Sequence, residues 1–288
     1  MPTRGLSLVG FMDQLGALNH LKIACVPPPA TDDAALIAEW QAATAALGPA
    51  IANAGYPQIL DLPPAHTTYI QQLMAIPWVA ALSHPGLPLH GASYKLVEIA
   101  PLLAFQFVVD LERSEQHCGG LAAPPDLNAL LPVCLPIAKP NGEYHSDIQD
   151  RSLIIKSRSL NLRLNAGGFG IEDPNDPNRI AGISFGWSPN LVHVVRFNGR
   201  CYLHNGFHRV VGAGLAGATH IPCVFRDVPD QKTAQILGAG ITFDLPILES
   251  ANPPTVAHFI QNRAHTVSLR KTTRILHLSW AEYGIYDE

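Results

Sequence analysis

The chain has 288 residues, 47% of them hydrophobic and only 15% charged, and its formal net charge is −4. A sizeable core can be buried, in one large domain or two. The slight negative charge excludes indiscriminate coating of nucleic acid, so any anion site must come from a local cationic patch.

Up to Val26 there are only short apolar pieces. Asp13 and Gln14 break the run from Leu6 to Met12 before a secretory segment could form, and no apolar run approaches the roughly twenty residues that span a bilayer. The five cysteines are widely spaced and form no C-x-x-C pair, the pattern of cytosolic thiols. A cytoplasmic protein without membrane attachment is therefore expected.

Pro27, Pro28 and Pro29 make a stiff connection. A helix comes next, capped at Thr31 and favoured by Asp32 and Asp33, with Leu36, Ile37, Trp40 and Leu47 on one face and Gly48 and Pro49 to stop it. A second helix is expected from His66 to Ala75, with Tyr69, Ile70 and Leu73 on its apolar side. Together these suggest a helical region over 1–90, packed on a core formed by 91–288.

Strands are expected over Tyr94 to Ile99 and Phe105 to Val109. The polar, glycine-containing stretch Glu112 to Asn128 reads as a loop. His117 and Cys118 within it lack a second ligand pair at zinc spacing, so no metal site is expected there. Short strands are predicted at Val133 to Ile137, Leu153 to Lys156 and Leu160 to Leu164. Asn165 to Arg179 collects glycine, Asn, Asp and proline signals and reads as a long loop, either a flap or a plain connection. Gly167, Gly168 and Gly170 are no dinucleotide fingerprint, because no helical pattern comes after them. A loop insertion near 112–180 results.

Leu191 to Arg226 carries most of the chemical information. An apolar run turns at Asn198 and Gly199, returns through Cys201 to Leu203, and turns again at Asn205 and Gly206. A short buried helix is expected from Phe207 to Leu215, ended by Gly217, with a further strand from Ile221. The stretch holds Arg196, Arg200, Arg209 and Arg226 and no acid before Asp227. Backbone N–H groups at the helix start, Gly206, His208 and a guanidinium from Arg209 could converge on one phosphate, with Asn205 shaping the turn and Arg196 and His204 in support. The plainer alternative is that Gly206 only permits the turn. His204 and His208 are four apart, but Asn205 and Gly206 between them argue for a turn and against a helical metal pair.

Gly206, His208 and Arg209, then Gly217, then Ile221 and Pro222, resemble the core of the ParB and sulfiredoxin-like superfamily. About forty residues carry the resemblance, and Leu96 to Asp110 is a fainter echo of that family's entry segment. It implies an α+β fold with a small mixed β-sheet, to which the helical N-terminal region read from the apolar stripes is appended. It also implies phosphate binding by Gly206, His208 and Arg209, beside which Asn205 is placed by its turn, and a nucleotide ligand such as a nucleoside triphosphate with Mg²⁺. Some members hydrolyse nucleoside triphosphate, some phosphorylate small hydroxyl compounds and some have been described as nucleases; the alternative is a non-catalytic interaction module or nucleic-acid-associated module that retains the fold, with a protein partner met through the N-terminal region. Enzymatic activity would need a carboxylate, with Glu98 and Asp110 the first candidates and Glu112, Asp147 and Asp173 behind them.

The sequence departs from the family at points that matter. Phe207 stands where sulfiredoxins place a reactive cysteine, so peroxiredoxin repair is not expected. Val210, Val211 and Gly212 come after Arg209 where the CTP-binding partition proteins have a further arginine. Pro246, Pro253 and Pro254 and a strand-like tail replace a helix-turn-helix, so no sequence-specific DNA-binding module is expected. Beyond Asp227 a helix is predicted over Asp230 to Leu237, and apolar pieces over Val256 to Ile260 and Arg274 to Trp280, the last a strand.

Overall fold

The computed structural model describes residues 2–26, 31–82, 89–138, 143–149, 151–157, 162–165, 184–187, 191–229, 245–271 and 273–279. The expected loop beyond Asn165, the helix over Asp230 to Leu237, the Pro27 to Pro29 connection and Asp173 lie outside these residues. In chain order the strands are β1 (Thr3–Ser7), β2 (Ile59–Asp61), β3 (Ser93–Glu98), β4 (Leu103–Ala104), β5 (Val108–Asp110), β6 (His145–Gln149), β7 (Ser152–Ser157), β8 (Leu162–Asn165), β9 (Ser184–Trp187), β10 (His193–Phe197), β11 (Arg200–Asn205), β12 (His220–Asp227), β13 (His265–Leu269) and β14 (Arg274–Ser279). The helices are α1 (Gln14–Ile23), α2 (Asp33–Ala46), α3 (Thr67–Met74), α4 (Pro77–Leu82), α5 (Leu111–Cys118), α6 (Leu127–Cys134), α7 (Phe207–Leu215), α8 (Leu245–Leu248) and α9 (Val256–Ile260).

The chain divides into two compact units, one made of 1–137 with 190–271 and the other of 138–189 with 272–288. In the first, a mixed six-stranded sheet has the order β2-β3-β12-β10-β11-β4, and a second sheet has the order β13-β1-β5. β12 lies antiparallel to β3 and parallel to β10, while β10 and β11 form an antiparallel hairpin. Pro222 has no N–H to give a ladder. It is accommodated because β10 begins to pair only at Val224, leaving Pro222 opposite Leu96 of β3 alone. Val97, Ile99, Leu203, Val210, Val211, Ile221, Cys223 and Phe259 belong to one buried cluster that joins the sheet to its helices. The protein is thus a mixed α+β structure.

Within the second unit, β6, β7 and β14 form one antiparallel sheet and β8 and β9 pair separately. The strands expected near Leu153, Leu160 and Arg274 correspond to β7, β8 and β14. Asp147 lies on β6, where it accepts from the Gln149 side chain at 2.5 Å.

Several expectations need correction. Glu112 to Asn128 is a loop only over 119–126: Asp110 Oδ1 accepts from the N–H groups of Glu112 (2.9 Å) and Arg113 (3.3 Å) and starts α5, and Asp126 caps α6 through Ala129 N–H (2.8 Å). The strand predicted from Val133 is absent: Val133 and Cys134 end α6, and Leu135 is the C-cap of that helix. The stretch Phe105 to Val109 is not one strand; β4 joins β11 and β5 joins β1, so the chain changes sheets between them. The first ninety residues supply helices α1 to α4 but also β1 and β2, each paired with later strands. The α2 cap is Asp32, one residue beyond Thr31, through Ala35 N–H at 2.9 Å.

Candidate functional site

The β10–β11 hairpin turns through Asn198 (φ 50°) and Gly199 (φ 75°), the double positive φ that a two-residue hairpin needs to match strand twist. At the other end of β11 the chain reverses again at Gly206, φ 91°, which is the N-cap of α7. Glycine is required here twice over. Its φ is left-handed, and an added Cβ would stand 2.7 Å from Val192 Cγ2 and 3.1 Å from Val192 Cα. Asn205 braces the turn: its Nδ2 donates to Leu191 O (3.2 Å) and its Oδ1 accepts from Gly206 N–H (2.9 Å).

The first turn of α7 contains no acidic residue, and the opening N–H groups of a helix carry partial positive charge without an intrahelical partner. Arg209 and Val210 donate their N–H groups to Gly206 O at 3.0 Å. α5 crosses this half of α7 closely because Gly212 lacks a side chain: a Cβ there would meet Cys118 Sγ at 2.8 Å and Ser114 O at 3.1 Å. Cys118 Sγ donates to Arg209 O (3.4 Å). The crossing places Arg113 and His117 of α5 within electrostatic range of His208 and Arg209. Burial, then Arg113, pushes the His208 pKa down to about 4, with Asp110 opposing. Burial, then Arg209 and Arg113, lowers that of His117. Arg209 is buried, which lowers its pKa to about 10; it still carries its charge at neutral pH. The result is two guanidiniums and two neutral imidazoles within electrostatic range across the α5–α7 contact, with Asp110 acting on His208 and the buried Arg209 acting also on Cys118 and Cys134.

A second feature lies at the end of the hairpin. The β10–β11 register slips between His193 and Val194, so that His204 is the extra residue on β11. The two imidazoles meet edge to face, centroids 5.2 Å apart and planes at 75°. His193 is 6% exposed, and its Nε2, with both ring nitrogens of His204, is buried without a hydrogen-bond partner. Burial, then His204 and Arg226, pushes the His193 pKa down to about 3; burial alone takes that of His204 to about 4. Phe105 lies 6.5 Å from the His204 ring and 6.0 Å from that of Tyr202.

Comparison with family models, with curated proteins and with solved structures finds no match to this chain.

Of the residues singled out from sequence, Asn205, Gly206, His208 and Arg209 gather at the α7 start, and His204 precedes them by one residue. Arg196 does not join them. It sits at the far end of β10, about 10 Å along the strand from His193, paired with Asp227 (Nε to Oδ1 2.6 Å, Nη2 to Oδ2 3.0 Å) and over the Phe225 ring. Glu98 also stays apart, opposite His220 and accepting from Gln58 N–H (2.9 Å). His220 is four residues along β12 from the partner of His193, roughly 13 Å. Asp110 is close to His208, but both its oxygens are engaged: Oδ1 caps α5 and Oδ2 accepts from Thr3 Oγ1 (3.0 Å). The two carboxylates therefore do not converge as a Mg²⁺ ligand set, and among the described residues no group of three or more His, Cys, Asp or Glu could hold a metal.

Arg113, His117 and His193 were not among the residues expected at the site. The i, i+4 spacing of Arg113 and His117 is a usable signal only once the segment is known to be helical.

Proposed function

We propose that this protein binds the phosphate of a nucleotide or another phosphorylated small molecule at the N-terminus of α7, in the manner of a ParB or sulfiredoxin-like fold. The observation that carries the reading is the mutual electrostatic contact of Arg113, His117, His208 and Arg209, from two helices, beside a glycine-capped helix start with no acid in its first turn. Charge-assisted contacts from guanidiniums, together with the Phe207 and His208 N–H groups at the helix start, suit an anion of this size. Binding without turnover fits better than hydrolysis or phosphoryl transfer, because Asp110 is committed to a cap and to Thr3 while Glu98 is distant. A protein-interaction role is compatible with this, since α1 exposes Leu15 (70%) and Ile23 (73%).

Calorimetric titration of inorganic phosphate and a nucleotide panel against wild type, Arg113→Ala and Arg209→Ala tests the proposal. Loss of one guanidinium contact is worth about 1.5 to 3 kcal/mol, so each variant should bind roughly tenfold to a hundredfold more weakly. Arg113 is the cleaner probe, its side chain being 30% exposed. No binding by wild type, or equal affinity in Arg113→Ala, removes the proposal.

A further inference from the structure

The phosphate reading leaves the His193 and His204 rings unused, although three of their nitrogens are buried without partners. A neutral imidazole offers one N–H donor and one lone pair, and a protein does not ordinarily bury both unmatched. Besides water, three guests could match them: a metal ion, an anion or a neutral hydroxyl.

Two imidazoles fill only half of a tetrahedral zinc set. The Arg226 charge acts on His193 and opposes a second cation. An anion would be held best by protonated rings, yet burial keeps both rings neutral at physiological pH. A hydroxyl is donor and acceptor at once and matches a neutral imidazole in either tautomer. Phe105 and Tyr202 beside His204 supply apolar surface for a carbon skeleton. His204 stands two residues before Gly206, at most about 7 Å of extended chain, so the hydroxyls and the phosphate of one small ester fall within the same span.

We propose that His193 and His204 form a hydroxyl-recognition subsite, and that the ligand class is a sugar phosphate or polyol phosphate. Each hydroxyl accepts from one imidazole N–H or donates to a ring lone pair, at the nitrogens that the edge-to-face contact of the two rings leaves unmatched. The subsite rests on the phosphate reading for its second half, and stands on the unpartnered imidazoles for its first.

The test uses the full chain labelled with ¹⁵N-histidine, titrated separately with ribose, ribose 5-phosphate and inorganic phosphate. Ribose and ribose 5-phosphate should shift the ring ¹⁵N signals of His193 and His204, and inorganic phosphate should leave them in place. Ribose 5-phosphate should bind wild type about tenfold more tightly than inorganic phosphate, as expected for one or two added hydrogen bonds. His204→Phe should abolish that advantage without changing the affinity for inorganic phosphate, and His204→Gln, which keeps a donor and an acceptor, should restore part of it. Equal affinity of wild type for the two phosphates, or ring signals unmoved by ribose 5-phosphate, overturns the subsite and leaves the phosphate site intact. Ring shifts with ribose but no binding of inorganic phosphate sustain the subsite and remove the phosphate site instead.

Discussion

Acid should unfold the first compact unit well above the pH at which carboxylates titrate. His20, His193, His204 and His258 have pKa values pushed down by burial to about 4, about 3, about 4 and about 4 respectively, against 6.5 in an open chain. Between pH 6.5 and about 4 the unfolded chain therefore holds more protons than the folded one, and stability falls as pH falls through that window. At pH 5 each fully buried ring contributes a loss of about 2 kcal/mol, with His204, half-buried, contributing the least. The total of roughly 6 to 8 kcal/mol is comparable with the whole stability of an ordinary domain, about 5 to 15 kcal/mol. His258 adds a structural reason: its Nδ1 accepts from Thr255 N–H (3.1 Å) to cap α9, a bond that needs the lone pair. Urea unfolding monitored by circular dichroism at pH 7, 6, 5.5 and 5 measures the slope. The double variant His193→Phe/His204→Phe should lose one to two protons of it. A stability unchanged between pH 7 and pH 5 would refute the reasoning, since it would mean that these rings are solvated in the folded state.

Gly206→Ala should destabilise by about 2 to 4 kcal/mol, combining the left-handed φ with the Val192 clash; urea midpoints check this, and a loss below about 1 kcal/mol contradicts the turn geometry. All five cysteines are buried, and burial raises the pKa of Cys25 to about 12, Cys118 to about 11, Cys134 to about 12 and Cys201 to about 11. Native protein should thus react slowly with a disulfide reagent at pH 8 and rapidly once unfolded. With all five thiols buried and none on α7, the protein should not reduce a peroxiredoxin sulfinate. Asp110→Ala should cost about 1 to 2 kcal/mol through loss of the α5 cap and the Thr3 bond. An unchanged urea midpoint in that variant would make Asp110 an available carboxylate again.

The hairpin, α7 and β12 are legible in the sequence because each is bounded by a local signal: Asn198-Gly199, Gly206 and Gly217 all have positive φ, and the residues between them are apolar at the matching period. α5 is not legible in the same way. Its buried positions are Ser114 and Cys118, small residues set against Gly212, so close helix contact is achieved with no apolar stripe to announce it. Arg113 and His117 are hidden along with that helix. The His193–His204 contact depends on a strand bulge, whose position is set by pairing across the hairpin and has no counterpart in residue pattern. The early strand β1 is obscure for a similar reason. It is five residues long and owes its form to partners far along the chain.

That last pairing bears on how the protein is made. Thr3 is joined to Leu269 and Ser7 to His265, so β1 meets its outer neighbour only once His265 to Leu269 have left the ribosome. At about 5 to 20 residues per second, β1 waits on the order of ten seconds or more with one edge uncovered, although β5 can reach its other edge earlier. An open strand edge is a template for the wrong partner. Newly made chains should consequently depend on chaperones during elongation, and release of a truncated chain ending before His265 should yield aggregates in place of a folded first unit.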